Sequence, residues 1–359
     1  MPSDAAVTPA PPREVRADSD LPLDAYRVML TAPSRAELLT LLGITGQDAE
    51  DLAPLADAAA RDDEILAEVA RTANALREAA GLEVPAVDLA ARKAEHDALQ
   101  QRLAPGEGLI PILAFLLSTD TVRSWHAARG LDREQSWHVL ADLGQQMRVH
   151  RRGTGRLGLH QLNWVTGNWA GRLVHLGRLQ FDLSRRRVAR LEQGADRPSD
   201  AQDTTGSSEA SPASAAEAEP MRWVVGTHIP ATGPLDPAEV EASFAAATAY
   251  FTAHYADLGA GRGPDEPAFG HEFTCDSWLI SDEFAQILGP DANLARFAAL
   301  WERIGTIPGD GDGALFFVFG LRPPVDPADL PRRTRLERAV ADRLADGRGW
   351  TSGKGRLLR

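Results

Sequence analysis

The chain has a single cysteine, Cys275, among 359 residues. That excludes an intramolecular disulfide and any cysteine-rich zinc centre. Long apolar runs are missing too. The longest, Leu109 to Leu117, is too short to span a bilayer and contains Pro111. No N-terminal apolar stretch resembles a signal peptide, so a cytoplasmic protein with no membrane partner is expected. Basic residues are outnumbered: 38 Lys and Arg face 51 Asp and Glu, a net charge of -13. Phosphate backbones require a broad basic face, so nucleic acid is not an expected partner. Several catalytic signatures are absent. There is no G-x-S-x-G elbow, no H-E-x-x-H or comparable histidine pair at ligand spacing, no G-x-x-x-x-G-K-[ST] and no dinucleotide fingerprint. A serine hydrolase and a metal centre are therefore not expected.

What remains is a soluble globular composition, 43% apolar and 25% charged, long enough for two domains. Residues 1–20 are rich in Pro, Ala and charge without periodicity, and read as a loose tail. Residues 21–152 read as an all-helical domain. Ser34 with Glu37 has capping-box spacing; Ile65, Leu66, Val69, Ala73 and Leu76 mark a second helix; Leu89, Leu99 and Leu103 mark a third. Leu109 to Gly130 is a strongly apolar fourth, and Asp132 with Gln135 caps a fifth.

The pattern changes from residue 153. Helical spacing continues from Leu162 to Leu176, then Leu179, Phe181 and Leu183 alternate as a half-buried strand with Arg185 to Leu191 as its hairpin partner. Residues 193–220 hold almost no large apolar side chain and read as a disordered insert at a hairpin tip. Strands follow at 223–229, 273–280 and Leu315 to Phe319. Helices are expected at 237–255, from Asn293 to Gly305, and at Arg332 to Leu344; Trp350 to Leu358 returns as an edge strand. The Gly353-Lys354-Gly355 run reads as a turn. This order makes 153–359 a mixed α/β sheet with flanking helices, and the whole chain α+β.

The chemistry centres on residues 221–255. Trp223 to Val225 are strand-forming, Pro230 ends the ladder, and Gly233 supplies backbone freedom ahead of a helix capped by Asp236 with Pro237 at its first position. Such a loop and helix start can hold an anion. His228, at the strand end, is the candidate general base. In FTCDSWLI, alternation puts Cys275 and Ser277 on one face and Asp276 with Trp278 on the other. Asp276, an acid in an apolar strand, is the candidate partner of His228. Arg172 and Arg178 flank the first strand, and either is a candidate contact for an anionic cofactor or substrate.

Three motifs, GRLVHLGRLQFDL (171–183), HIPATGPLDP (228–237) and FTCDSWLI with DANLARF (273–297), resemble bacterial acyltransferases with a helical N-terminal domain and a GNAT-like C-terminal domain. The resemblance implies that strands 223–229 and 273–280 splay apart and admit the arm of an acyl-CoA co-substrate. It implies that Ile229, Ala231, Thr232 and Gly233 meet the cofactor and that Asn293 opens the helix against its pantetheine arm. His228 with Asp276 then serves transfer to an amine or hydroxyl of a small-molecule acceptor, with Arg178, Cys275, Ser277 and Trp278 lining the substrate pocket. The loop departs from the Q/R-x-x-G-x-G/A pattern, and Leu300 and Trp301 stand near where a tyrosine acid often lies. A non-catalytic binding protein of the same shape for a CoA-like or other anionic ligand is the alternative, and the helical half is expected either to shape the acceptor pocket or to mediate self-association in a homo-oligomer.

Overall fold

The computed structural model describes residues 21–359 apart from 83, 193–219, 231–232, 282, 308–310 and 351. The expected insert therefore lies outside the described residues, as do Ala231 and Thr232.

The N-terminal half is built from α1 (Leu23–Thr31), α2 (Arg35–Leu41), α3 (Gln47–Arg61), α4 (Asp63–Glu78), α5 (Lys93–Gln100), α6 (Leu109–Ala128), α7 (Arg133–Leu140), α8 (Asp142–Thr154) and α9 (Leu162–Trp169). Helix α6 is apolar all round because it is central. Ile110, Ile112, Leu113, Ala114 and Phe115 are fully buried, so no face of its first half meets water, while Asp120 and Ser124 reach the surface farther along. The Asp132/Gln135 capping box forms as expected, whereas Ser34 makes no side-chain cap. Helix α9, read from the sequence as part of the second half, packs Leu162, Val165 and Trp169 into the helical core. Among the described residues no helix is long and apolar enough to cross a membrane.

Among the described residues the C-terminal half forms a six-stranded sheet in the order β1-β2-β3-β4-β6-β5. Its strands are β1 (Leu173–Leu176), β2 (Leu179–Arg187), β3 (Met221–His228), β4 (Glu272–Ser277), β5 (Glu302–Ile307) and β6 (Ser352–Leu358). Around it lie α10 (Val188–Glu192), α11 (Pro237–His254), α12 (Glu283–Leu288), α13 (Asn293–Ala298), α14 (Asp312–Phe319) and α15 (Arg335–Ala345). Every pairing is antiparallel except β3 with β4, which α11 connects. The expected α+β architecture, a helical domain followed by a mixed sheet, is what the chain adopts.

Several local expectations fail for identifiable reasons. The hairpin partner of β2 is β1, which precedes it, rather than Arg185 to Leu191. Leu315 to Phe319 is helical, in a short α14 closed at both ends by glycines in left-handed conformation, Gly311 (φ 98°) and Gly320 (φ 71°). A short apolar run carries no period that separates helix from strand. Helix α13 stops at Ala298 and the chain re-enters the sheet as β5. Strand β6 is interior rather than an edge, and the Gly353-Lys354-Gly355 run lies within it. A Cβ at Gly353 would stand 2.1 Å from the Ile280 carbonyl oxygen, and one at Gly355 2.8 Å from Trp301, so glycine lets these residues cover the strand.

Two features set the geometry of β3 and β4. The stripe Val240, Phe244, Ala247, Phe251 and Tyr255 is buried as its spacing required, and Phe244 meets Phe181 and Phe273 edge to face across the sheet. At the start of the two strands, buried Glu272 on β4 takes Arg222 of β3 at 2.8 Å and Arg356 of β6 at 2.9 Å. Three strands are therefore pinned together at this end.

Candidate active site

Beyond that pin, β3 and β4 separate. Their parallel pairing covers only Val225 with Phe273 and Gly226 with Thr274. Cys275, Asp276 and Ser277 pair instead with Gly355, Lys354 and Gly353 of β6, and no pairing joins them to Thr227 or His228. The expected splay is present, and His228 stands on its rim.

The carboxylate beside His228 is not Asp276. His228 Nε2 lies 2.9 Å from Asp182 Oδ1, on β2, while Asp276 faces Arg186 at 3.6 Å. Register explains the pairing. Asp182 lies opposite Gly226 and Gln180 opposite His228, so Asp182 and His228 are diagonal neighbours on one face. The carboxylate passes over Gly226: a Cβ there would stand 1.9 Å from Asp182 Oδ1. Glycine in this strand is the space through which the acid reaches the imidazole.

A carboxylate can only accept, so the ring proton sits on Nε2 and Nδ1 carries the free lone pair. Nδ1 makes no hydrogen bond among the described residues, and the side chain is 39% exposed. Burial pulls the Asp182 carboxyl upward most strongly. The His228 ring, the hydrogen bond to it, Arg186 and Arg172 together hold the acid below its ordinary value. The pair is thus a base oriented by an anion, open to an approaching N–H or O–H.

The helical half closes over the same histidine. Trp164 of α9 sets its ring edge-on to His228, 4.6 Å between centroids at 78°. Its indole nitrogen donates to Asp142 Oδ2 at 2.8 Å, and Asn168 (3.1 Å) and Gln180 of β2 (3.3 Å) donate to the same carboxylate. Asp142 thereby ties α8, α9 and β2 into one wall. Farther along the interface, Arg129 of α6 pairs with Asp257 at 2.7 Å and lies over the rings of Trp125 and Tyr255.

The other expected site residues fall into two groups. Gly233 takes a positive φ of 122°, as its loop role required. Ile229 is half-buried just past the end of β3, and Asn293 opens α13. Arg178, expected at an anion, instead grips the loop. Its guanidinium donates to the carbonyls of Pro230 (3.0 Å), Gly233 (2.6 Å) and Pro234 (2.8 Å). Arg172 likewise donates to the carbonyls of Gly81 and Val84. Cys275 points into the core, where burial chiefly, with Asp276 adding, pushes its thiol well above the ordinary value. Trp278 packs against Phe284 and Trp350, and its carbonyl accepts from the Trp350 indole, so it too is a core residue. Ser277 Oγ accepts from the Leu279 N–H and closes the turn after β4. The start of α11 is already occupied, because Asp236 accepts from Ala238 and Glu239. An anion at this loop must draw on the loop's own amides.

A cavity of about 210 Å³ lies between α7, β1 and α11, lined in part by His138, His175 and Tyr250. It shares no lining residue with the gap between β3 and β4.

Comparison with known proteins agrees with this geometry. The family described as GNAT-like C-terminal domain matches residues 173–357, and the N-acyltransferase N-terminal domain matches residues 33–171. Among curated proteins none matches. Among solved structures, a mutant acyltransferase in complex with octanoyl-CoA is 26% identical, with a TM-score of 0.64 over 90% of this chain and 86% of its own. An acyltransferase in complex with CoA and 10C-teicoplanin is 25% identical, with a TM-score of 0.64 over 97% and 90%. A third, with decanoyl-CoA and teicoplanin, shares the fold at 24% identity, a TM-score of 0.64, and 94% and 99% coverage.

Proposed function

Because the chain belongs to the family defined by the GNAT-like C-terminal domain, here preceded by an N-acyltransferase N-terminal domain, we propose that it acylates an amine of a small-molecule acceptor at His228. It is an acyl-CoA-dependent acyltransferase, and the expectation of an enzyme rather than a silent binder is borne out.

The observation that carries the residue-level reading is the parting of β3 and β4 after Gly226 and Thr274, with a carboxylate-oriented imidazole on the rim. The thioester arm lies in that gap, with Ile229 and Gly233 on the loop side. The acceptor nitrogen attacks the thioester carbonyl carbon while His228 Nδ1 removes its proton. The C–S bond breaks, the amide forms and the CoA sulfur leaves with the electron pair, later taking a proton from solvent. Asp182 fixes the tautomer and balances the imidazolium. The strand-end N–H near Ile229 stabilises the oxyanion, a donor of a kind worth about 3 kcal/mol. Holding both reactants in one crevice supplies much of the remaining acceleration. Asp276, paired with Arg186, takes no part in the proton transfer.

The similar structures hold medium-chain acyl-CoAs and teicoplanin, and these are the first substrates to test. Purified protein is mixed with octanoyl-CoA or decanoyl-CoA and teicoplanin, free thiol is followed in time, and the acceptor's mass is measured. Acylated acceptor that disappears in His228→Ala supports the reading. Undiminished product in that variant removes His228 as the base.

A further inference from the structure

A second cluster of chemically capable side chains lies in the helical half. Glu107, from the turn before α6, His150 of α8 and His160, just before α9, bring one ligand atom each to within 4.8 Å of one another. We propose that these three residues form a structural site for a divalent transition-metal ion of the zinc class, held by one carboxylate oxygen and two imidazole nitrogens.

The hydrogen-bond pattern around His150 carries the argument. Its Nδ1 lies 3.1 Å from the Arg156 carbonyl, which can only accept. Thr154 Oγ1 is also near Nδ1, at 3.2 Å, but its own proton goes to the His150 carbonyl at 2.9 Å. The ring proton therefore sits on Nδ1, and Nε2 presents a lone pair. In the neutral ring that lone pair faces Glu107 Oε1 at 3.3 Å, acceptor against acceptor. His160 Nδ1 meets the same carboxylate oxygen, and the two rings stand 4.4 Å apart at 56°. A cation between the three atoms resolves the confrontation.

The 3.3 Å between Glu107 Oε1 and His150 Nε2 suits the ion. Tetrahedral zinc with bonds near 2.0–2.1 Å holds its ligand atoms about 3.3 Å apart. Two histidines and one carboxylate, with a fourth position left for water, form the ligand set of zinc sites that keep an open position. The outer contacts also have the right form. The Arg156 carbonyl orients His150, and Lys93 occupies the second oxygen of Glu107 at 2.6 Å while also pairing with Asp97. A Cβ at residue 158 would stand 2.4 Å from His150 Cε1, so Gly158 leaves room for the ring. His150 is 3% exposed and His160 30%, which gives the ion an entry from the His160 side. The charges that oppose binding are Lys93 and Arg322, whose field reaches His160.

No spacing rule reveals this site, because its ligands come from three separate stretches of chain. Its place gives it a structural role. His160 lies two residues before α9, whose Trp164 touches His228, so the ion anchors the start of the helix that walls the base.

The test uses the full chain, stripped with a chelator and titrated with zinc chloride by calorimetry, then with cobalt chloride by visible absorption. One equivalent of zinc, a raised melting temperature and a tetrahedral cobalt spectrum are expected. Affinity should fall by more than about tenfold in His160→Ala and in Glu107→Gln, and be unchanged in His138→Ala. Glu107→Gln keeps the shape of the cluster if His160→Ala folds poorly. No saturable binding, or binding equal in the wild type and Glu107→Gln, would show a plain ion-pair network and overturn the proposal.

Discussion

The Asp182 carboxylate reaches the His228 imidazole across the vacant side-chain position of Gly226, closing 2.9 Å between atoms on different strands. The orientation of the histidine thus rests on an acid 46 residues earlier and on a residue with no side chain.

His228→Ala should lower turnover by on the order of 10²–10⁴, the usual worth of a positioned general base. Asp182→Asn keeps the shape but removes the charge that sets the tautomer, with losses of up to about 10⁴ in comparable triads. Asp276→Asn should leave the rate close to wild type. Steady-state thiol release with octanoyl-CoA measures all three, and a large Asp276 effect beside a small Asp182 effect would reverse the assignment.

Gly226→Ala places a methyl group where Asp182 Oδ1 now lies. The expected result is a folded protein whose pH–rate profile moves toward that of Asp182→Asn. Unchanged kinetics would mean that the carboxylate reaches His228 by another path.

Glu272 is 1% exposed and neutralises both Arg222 and Arg356. Replacing it with Gln leaves Arg356 without its counter-ion and Arg222 with only the more exposed Glu266, at 3.2 Å; breaking a buried pair of this kind costs about 3–5 kcal/mol. Urea unfolding should show that loss.

His126 is fully buried between α6 and α7, with Nδ1 3.0 Å from Ser136 Oγ. Burial, with Arg123 adding to it, lowers its pKa from 6.5 to about 4. Between those values the unfolded chain binds a proton that the folded chain refuses, so stability rises with pH. The contribution is complete above about pH 6.5 and is lost as the pH falls toward about 4, on the order of 3 kcal/mol in all. His126→Gln should flatten this part of the stability profile, read from denaturant midpoints at a series of pH values. A slope unaltered by the substitution would exclude His126 as its source.

Much of the fold was legible because local chemistry and tertiary structure agree. Asp236, Pro237 and the stripe from Val240 to Tyr255 specify α11 by capping and periodicity alone, and β3 and β4 follow from β-branched and aromatic runs. His228 was legible as the polar end of such a run. Its partner was not, because the β2–β3 register is a non-local fact: alternation put Asp182 on the polar face without saying which strand it would meet. The nearer candidate, Asp276, lost its place to Arg186. Arg178 was legible as important but not in its role, since carbonyl acceptors leave no mark in a sequence. Segment 315–319 and strand β6 failed for a common reason. Apolar or glycine-rich stretches take their form from the neighbours that cover them, here Ile280 and Trp301 over Gly353 and Gly355.

The seam between the two halves passes beside His228. Trp164 and Asp142 belong to one side, His228 and Gln180 to the other, and a single carboxylate binds donors from both. Exchanging helical halves between relatives therefore resets the surroundings of the base along with whatever else the exchange was meant to alter.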